Sequence, residues 1–460
     1  MPGLTLDLGR LIDRQRLTRF QIGIIGWCFL VQLADGYDIT AAAFAAPTLA
    51  RQWSLGPGQL GLLFSASLVA GLFGPPLFGF LADRYGRRTM VIAGTVVFGA
   101  FSLAAVAATS VDQLIALRFL AGLGMSGALP TAVALTNEFA PRRARATFVI
   151  IMFAGATFGG GIPGFVAAWL MPAHGWQILF WIGGLFPLAL AACLGFVLPE
   201  SVKFLLLRPR RAAELERIVA RLLPSARLPA GTRYVIADEA NGPGFSLKLL
   251  LAGRLAWLSP ALWVCVLITT MVFYFITNWM PTILAGAGIP LGRAVFATTL
   301  FQFGGTLAGL AIMRPLDRFG MVPLTVLYVL AIPIVAVLGT PGLGAAPLMA
   351  LIFAAGFCVL GINFAIIATS GNLYPTVIRS YGVGCIFFFG RGGSVIGPSV
   401  AGLLIAHRFS TQALFLTAAA PMVIALIASV LIVPLYRAHY MTAASAAPPS
   451  EAEEGLPSHV

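Results

Sequence analysis

The sequence predicts an all-α membrane protein, twelve transmembrane helices arranged as two six-helix pseudo-repeats around a central cavity. Three observations lead there. The composition is 59% apolar and only 10% charged, with a mean hydropathy of +0.93. A soluble domain carries roughly 25% charged residues, so too few charges exist here to coat a globule. Apolar runs start near Phe20, Gln59, Thr89, Val111, Ala146, Trp176, Trp257, Arg293, Val322, Pro347, Tyr381 and Gln412. Each approaches the ~20 residues needed to cross ~30 Å of hydrocarbon. Finally, two motifs recur at one fixed shift along the chain.

Backbone groups in lipid must bond within their own segment, so the runs read as helices. Of the 29 Lys and Arg residues, 24 fall in loops or termini on the side of the first terminus and 3 (Arg51, Arg293 and Arg408) on the other. That asymmetry is the positive-inside pattern and puts both termini in the cytoplasm. The net charge of +13 is therefore a topology signal, and no nucleic-acid partner is expected. The reading divides the chain into a cytoplasmic N-terminus (1–19), a first bundle (20–198), a cytoplasmic linker with a short helix (199–255), a second bundle (256–437) and a disordered cytoplasmic tail (438–460). The first apolar run outlasts a signal-peptide core, so no cleavable leader is expected. Cys28, Cys193, Cys265, Cys358 and Cys385 all fall within expected spans without CxxC spacing. They read as small buried apolar residues, not disulfides or metal ligands.

The repeat pairs Asp83-Arg84-Tyr85-Gly86 with Asp317-Arg318-Phe319-Gly320, and Glu138-x-x-Pro141-x-x-x-Arg145 with Asn372-x-x-Pro375-x-x-x-Arg379. Both are shifted by 234 residues (317 − 83 and 375 − 141). An even number of helices per copy makes the halves parallel about an axis along the membrane normal. Gly79-x-x-x-Asp83-Arg84-x-Gly86-Arg87-Arg88 resembles the loop between helices 2 and 3 of the major facilitator superfamily. Asp83 can serve a helix terminus and pair with a loop arginine, while Gly86 permits a tight turn. Asp83, Arg84, Gly86, Arg87, Arg88, Glu138, Arg145, Asp317, Arg318 and Arg379 are therefore the gating candidates. The glycines Gly155 to Gly164 of the fifth span are expected to allow close helix packing.

Ionisable residues within a span are costly and are functional candidates by default. Four lie well inside: Asp35, Asp38, Arg118 and Arg391. Shifted by 234, they meet Thr269, Val272, Ile352 and Thr157. Motif residues repeat and these charges do not, which argues for function over architecture. At 1.5 Å per residue, Asp38 lies roughly 12 Å, Asp35 roughly 16 Å and Arg118 roughly 10 Å below the outer end, and Arg391 roughly 15 Å above the inner end. Asp35 and Asp38 share a helix face. Two carboxylates in a poor dielectric cannot both ionise cheaply, so the pair is a candidate for proton coupling. Arg118 either neutralises one of them or touches substrate. Arg391 has no acidic residue in the spans of its own half, which points to an anionic substrate gripped by a two-pronged guanidinium contact.

Asp35-Gly36-Tyr37-Asp38 followed by Ala46-Pro47, Arg118 in Arg-Phe-Leu-Ala-Gly-Leu-Gly, Arg391 in Gly-Arg-Gly-Gly with Pro398 beyond, and Pro199-Glu200-Ser201 resemble the aromatic acid:proton symporter family. The similarity spans both halves and departs at Asn372, where the first copy has Glu138. It implies proton-driven uptake of benzoate-like or hydroxybenzoate-like acids across a bacterial inner membrane. A monomer is expected, with no cofactor or metal. Further candidates for the cavity wall are Tyr274, Asn278, Gln302, Asn363 and Phe388, since a ring needs stacking surfaces and a buried amide needs a partner. The chief alternative is a symporter of an aliphatic or sugar acid with the same fold. A drug:proton antiporter would not need two cavity arginines, and the linker is short for a signalling domain. No nucleotide-binding glycine loop, metal cluster or nucleophile–His pairing suggests an enzyme.

Overall fold

The computed structural model describes residues 5–14, 17–141, 145–222, 233–235, 247–374 and 378–445. Twelve helices dominate it. The first half contributes α1 (Arg19–Gln52), α2 (Pro57–Tyr85), α3 (Arg87–Ala104), α4 (Val111–Phe139), α5 (Arg145–Trp169) and α6 (Gln177–Val197). The second contributes α7 (Leu255–Gly286), α8 (Leu291–Phe319), α9 (Val322–Val337), α10 (Ala345–Leu373), α11 (Arg379–Ala406) and α12 (Thr411–Ser445). Local chemistry sets the starts. Thr18 and Gln21 form a reciprocal capping box at α1, the Gln21 N–H donating to Thr18 Oγ1 at 3.3 Å and the Thr18 N–H to Gln21 Oε1 at 2.9 Å.

Eleven of these helices are long and apolar enough to cross a membrane. The exception is α9, whose 16 residues span roughly 24 Å. It stops at a Gly-Thr-Pro-Gly turn in which Gly342 has φ +84°. At the other extreme α12 runs through Arg437 to Ser445, into the stretch expected to be the tail. Cys28, Cys265 and Cys358 are buried, but Cys193 is exposed, so it does not fit the expectation of buried small residues.

The repeat is visible in the packing. Within the first half α1 packs on α5, α2 on α4, and α3 on α4 and α6; within the second, α7 packs on α11, α8 on α10, and α9 on α10 and α12. The halves meet where α2 packs on α11, α8 on α5 and α1 on α7. Glycine makes the tightest approaches possible. Gly155 and Gly159 on α5 lie against the backbone of Phe29 and Leu33 on α1, and Gly164 on the same helix lies against Thr299 on α8. One helix thus serves both an intra-half and an inter-half seam.

A feature without a sequence signal ties the N-terminus to the linker. Thr5–Asp7 pairs in parallel with Arg233–Val235. Beside it, Ala212–Leu222 is an amphipathic helix that buries Leu215, Ile218, Val219 and Leu222, the i, i+3, i+4, i+7 stripe of a docked helix. Leu8 and Ile12 of the short helix Leu8–Arg14 join the same cluster.

Candidate functional site

A cavity of about 190 Å³ lies between the halves. Helices α1, α4 and α5 wall it on one side and α7, α8, α10 and α11 on the other. Asp35 from α1 and Arg391 from α11 both line it, as do Tyr274, Gln302 and Asn363. Asp35 and Arg391 act on each other electrostatically, and both charges act on Tyr274. Among the described residues no carboxylate pairs with Arg391. Its guanidinium lies over Gly71 of α2, where a Cβ would come within 3.2 Å of Nη1, so the missing side chain gives the arginine its room.

Two buried amides add polar character. Gln32 and Gln302 are 1% and 3% exposed, both line the cavity, and the Oε1 of each has no hydrogen-bond partner among the described residues. Sequence reasoning missed Gln32, although it stands three residues before Asp35 and therefore on the same helix face. It also missed Phe153 and Phe387, which stack at 6.5 Å across the two halves. Eight residues from the ends of α5 and α11, the pair lies roughly 12 Å in from the face that carries both termini. On the opposite face the halves are joined more tightly. Ser65 Oγ lies 2.8 Å from Ser399 Oγ, Phe64 meets Trp279 edge-on at 5.2 Å, and Thr299 Oγ1 donates to Gly161 O at 3.4 Å. Contacts between the halves thus occur on both sides of the cavity, more of them on the face away from the termini.

Three sequence expectations for the cavity wall need correction. Arg118 does not reach the cavity. Nη1 and Nη2 both donate to the Asp38 carboxylate, the second at 2.7 Å, and Cζ sits 5.7 Å from the Phe180 ring centre. Asp38 is correspondingly spent on Arg118 and off the cavity wall. The Asn278 amide is satisfied within its own helix, donating to Tyr274 O at 2.9 Å. Phe388 is 64% exposed and points away, because a helix turns about 100° per residue and its neighbour Phe387 takes the inward direction.

The loop candidates form a network in the first half with a different centre from the one expected. Asp83 is exposed and makes no ion pair among the described residues, whereas Arg87 pairs with Glu138. Helix-terminus service falls to Glu200, buried at 1% exposure. Its Oε1 accepts the N–H of Arg88 at 3.0 Å and of Ser201 at 2.9 Å, placing an anion at the N-terminus of α3. Ser201 Oγ donates to Glu138 Oε2 at 2.6 Å, and the Arg88 guanidinium donates to Gly195 O. Gly86 has φ +101° and packs against the Glu200 carboxylate; Gly320, its repeat partner, has φ +61°. The Arg84 carbonyl accepts from Arg208 at 2.8 Å, and Arg318 lies over the Phe319 ring. The side chains of Arg145, Asp317 and Arg379 lie outside the described residues.

Comparison with known proteins completes the description. The model of the Major Facilitator Superfamily matches residues 28–369. The 4-hydroxybenzoate transporter PcaK of Pseudomonas aeruginosa is 35% identical over 87% of this chain and 90% of that protein. A gallate transporter of Pseudomonas putida is 32% identical over 89% of this chain and 91% of that one. Among solved structures, a bacterial homologue of the human lysosomal transporter Spinster, inward-facing and occupied, superposes with a TM-score of 0.64 at 15% identity. That match covers 93% of this chain and 98% of the other.

Proposed function

Because the chain belongs to the major facilitator superfamily, and is thus a multi-pass membrane transporter and not an enzyme, we propose that it takes up an aromatic carboxylic acid together with protons, by alternating access. The observation that carries this reading is the Arg391 guanidinium, free of any ion pair among the described residues, sharing with Asp35 a cavity walled by Phe153, Phe273, Tyr274 and Phe364. A guanidinium takes a carboxylate in two parallel hydrogen bonds, and the aromatic walls take a ring. The named relatives, carriers of 4-hydroxybenzoate and gallate, support the same substrate class. Asp35 supplies the coupling. Ionised, it competes with the substrate carboxylate for Arg391; protonated, it yields the arginine to the anion, so proton and substrate load together. The Phe153–Phe387 pair is the inner door, and the Ser65–Ser399 seam the outer one. Both termini then face the cytoplasm of a bacterial inner membrane.

Proteoliposomes holding the purified protein test the reading. Labelled benzoate or 4-hydroxybenzoate should accumulate under an inwardly directed proton gradient and only equilibrate without one. Uptake of an aliphatic or sugar acid that no aromatic acid competes with would overturn the substrate class.

A further inference from the structure

The cavity holds two acceptors that its carboxylate-binding arginine does not explain. Gln32 on α1 and Gln302 on α8 come from opposite halves and line the same cavity, and the amide oxygen of each is buried without a hydrogen-bond partner among the described residues. Glycines on α5 leave room for both. A Cβ at Gly155 would lie 3.2 Å from Gln32 Cβ, and one at Gly160 would lie 3.0 Å from Gln302 Nε2. Counted along their helices, Gln32, Gln302 and Arg391 stand roughly 20, 26 and 18 Å from the face carrying the termini, one layer of the membrane. A buried amide oxygen without a donor is costly, and the cost is recovered when a ligand brings one.

The chemistry of that donor is restricted. An ionised carboxylate only accepts hydrogen bonds, so the acid group of the substrate cannot satisfy either unpartnered amide oxygen. Ring C–H edges are weak donors at best. The remaining source on an aromatic acid is a hydroxyl carried by the ring. We propose that Gln32 and Gln302 read ring hydroxyls, the amide oxygen of each accepting the hydrogen bond of one O–H while Arg391 holds the carboxylate, so that they set the preference for hydroxylated over unsubstituted aromatic acids. The assignment rests on the aromatic-acid reading of the cavity and adds the residues that discriminate within that class. A site built to bond a hydroxyl rejects the analogue lacking it, because its own polar groups are then left bare.

Calorimetry on the full chain in lipid nanodiscs tests this with benzoate, 3-hydroxybenzoate, 4-hydroxybenzoate and 4-methoxybenzoate, the last retaining the oxygen without a proton to donate. The wild type should bind at least one hydroxy acid about tenfold more tightly than benzoate or the methoxy acid. Gln32→Met and Gln302→Met keep side-chain length and lose the acceptor. Each should weaken binding of at least one of the two hydroxy acids by about tenfold and leave benzoate within about twofold, which also shows that the variant is folded. Should one variant fail to fold, the other decides. The proposal is overturned if the hydroxyl preference survives both substitutions, if the wild type has none, or if benzoate binding is lost in step. Failure of the wild type to bind any of the four acids would instead remove the aromatic-acid reading itself.

Discussion

Arg118 on α4 grips Asp38 on α1 through both terminal nitrogens, in a site where the arginine is 1% exposed. The same two places in the second half, 234 residues on (272 − 38 and 352 − 118), hold Val272 and Ile352, both buried. One architecture therefore tolerates an ion pair in one copy and an apolar pair in the other. A buried pair adds little net stability over packed apolar residues, but breaking it strands a charge and costs about 3–5 kcal/mol. Asp38→Val or Arg118→Ile alone should lower the thermal unfolding temperature sharply, and Asp38→Val/Arg118→Ile together should recover most of the loss. Gradient-driven uptake should not recover with it, because the pair occurs only in the half that also carries Asp35. A stable double variant with normal uptake would reduce the pair to scaffolding.

Asp35 differs from Asp38 in its freedom. It lines the cavity and makes no ion pair among the described residues. Asp35→Asn keeps the shape and removes the exchangeable proton. Substrate binding and substrate-for-substrate exchange should persist in this variant, while accumulation under a proton gradient falls to the level of passive equilibration. Normal accumulation by Asp35→Asn would move the coupling elsewhere.

The helices were legible in the sequence because hydrocarbon imposes a length and a polarity on every span. Each begins within two residues of the apolar run that announced it. That Asp35 and Arg391 belong near a cavity followed from the cost of charge in lipid. Facing was harder to read. Phe387, Phe388 and Phe389 are consecutive on α11, so no apolar period says which ring turns inward. The role of Glu200 has no local signal, because it depends on an approach to Arg88, 112 residues away. The pairing of Thr5–Asp7 with Arg233–Val235 is likewise invisible locally, with three residues on each side and no turn between them.

Gly86 offers a test of the loop network with an internal control. Its φ of +101° is strained for any residue with a side chain, and a Cβ there would collide with the Glu200 carboxylate that caps α3. Gly79, on the same loop-side end of α2, has nothing within 4 Å of its Cβ position. Gly86→Ala should therefore destabilise the protein by about 1–3 kcal/mol and slow transport, whereas Gly79→Ala should be close to neutral. Thermal unfolding and initial uptake rates on both variants decide it; equal effects would remove the special role of the Gly86–Glu200 contact.

Arg391 links charge to substrate class most directly. It stands near the middle of α11, its guanidinium over Gly71, and lines the cavity together with Asp35. A hydrogen bond to a charged group in a dry site contributes about 1.5–3 kcal/mol, which at about 1.4 kcal/mol per decade is roughly ten- to a hundredfold in affinity. Arg391→Ala should weaken binding of the acid by that factor. Arg391→Lys keeps the charge and loses the planar fork, so it should recover only part of the affinity. The uncharged amide of the same ring gains nothing from a guanidinium fork, and its binding should change little in either variant. Calorimetry with the acid and its amide on wild type and both variants separates the outcomes. Unchanged acid affinity in a folded Arg391→Ala protein removes Arg391 from the site. Equal losses for acid and amide would mean that the arginine shapes the cavity without reading the carboxylate.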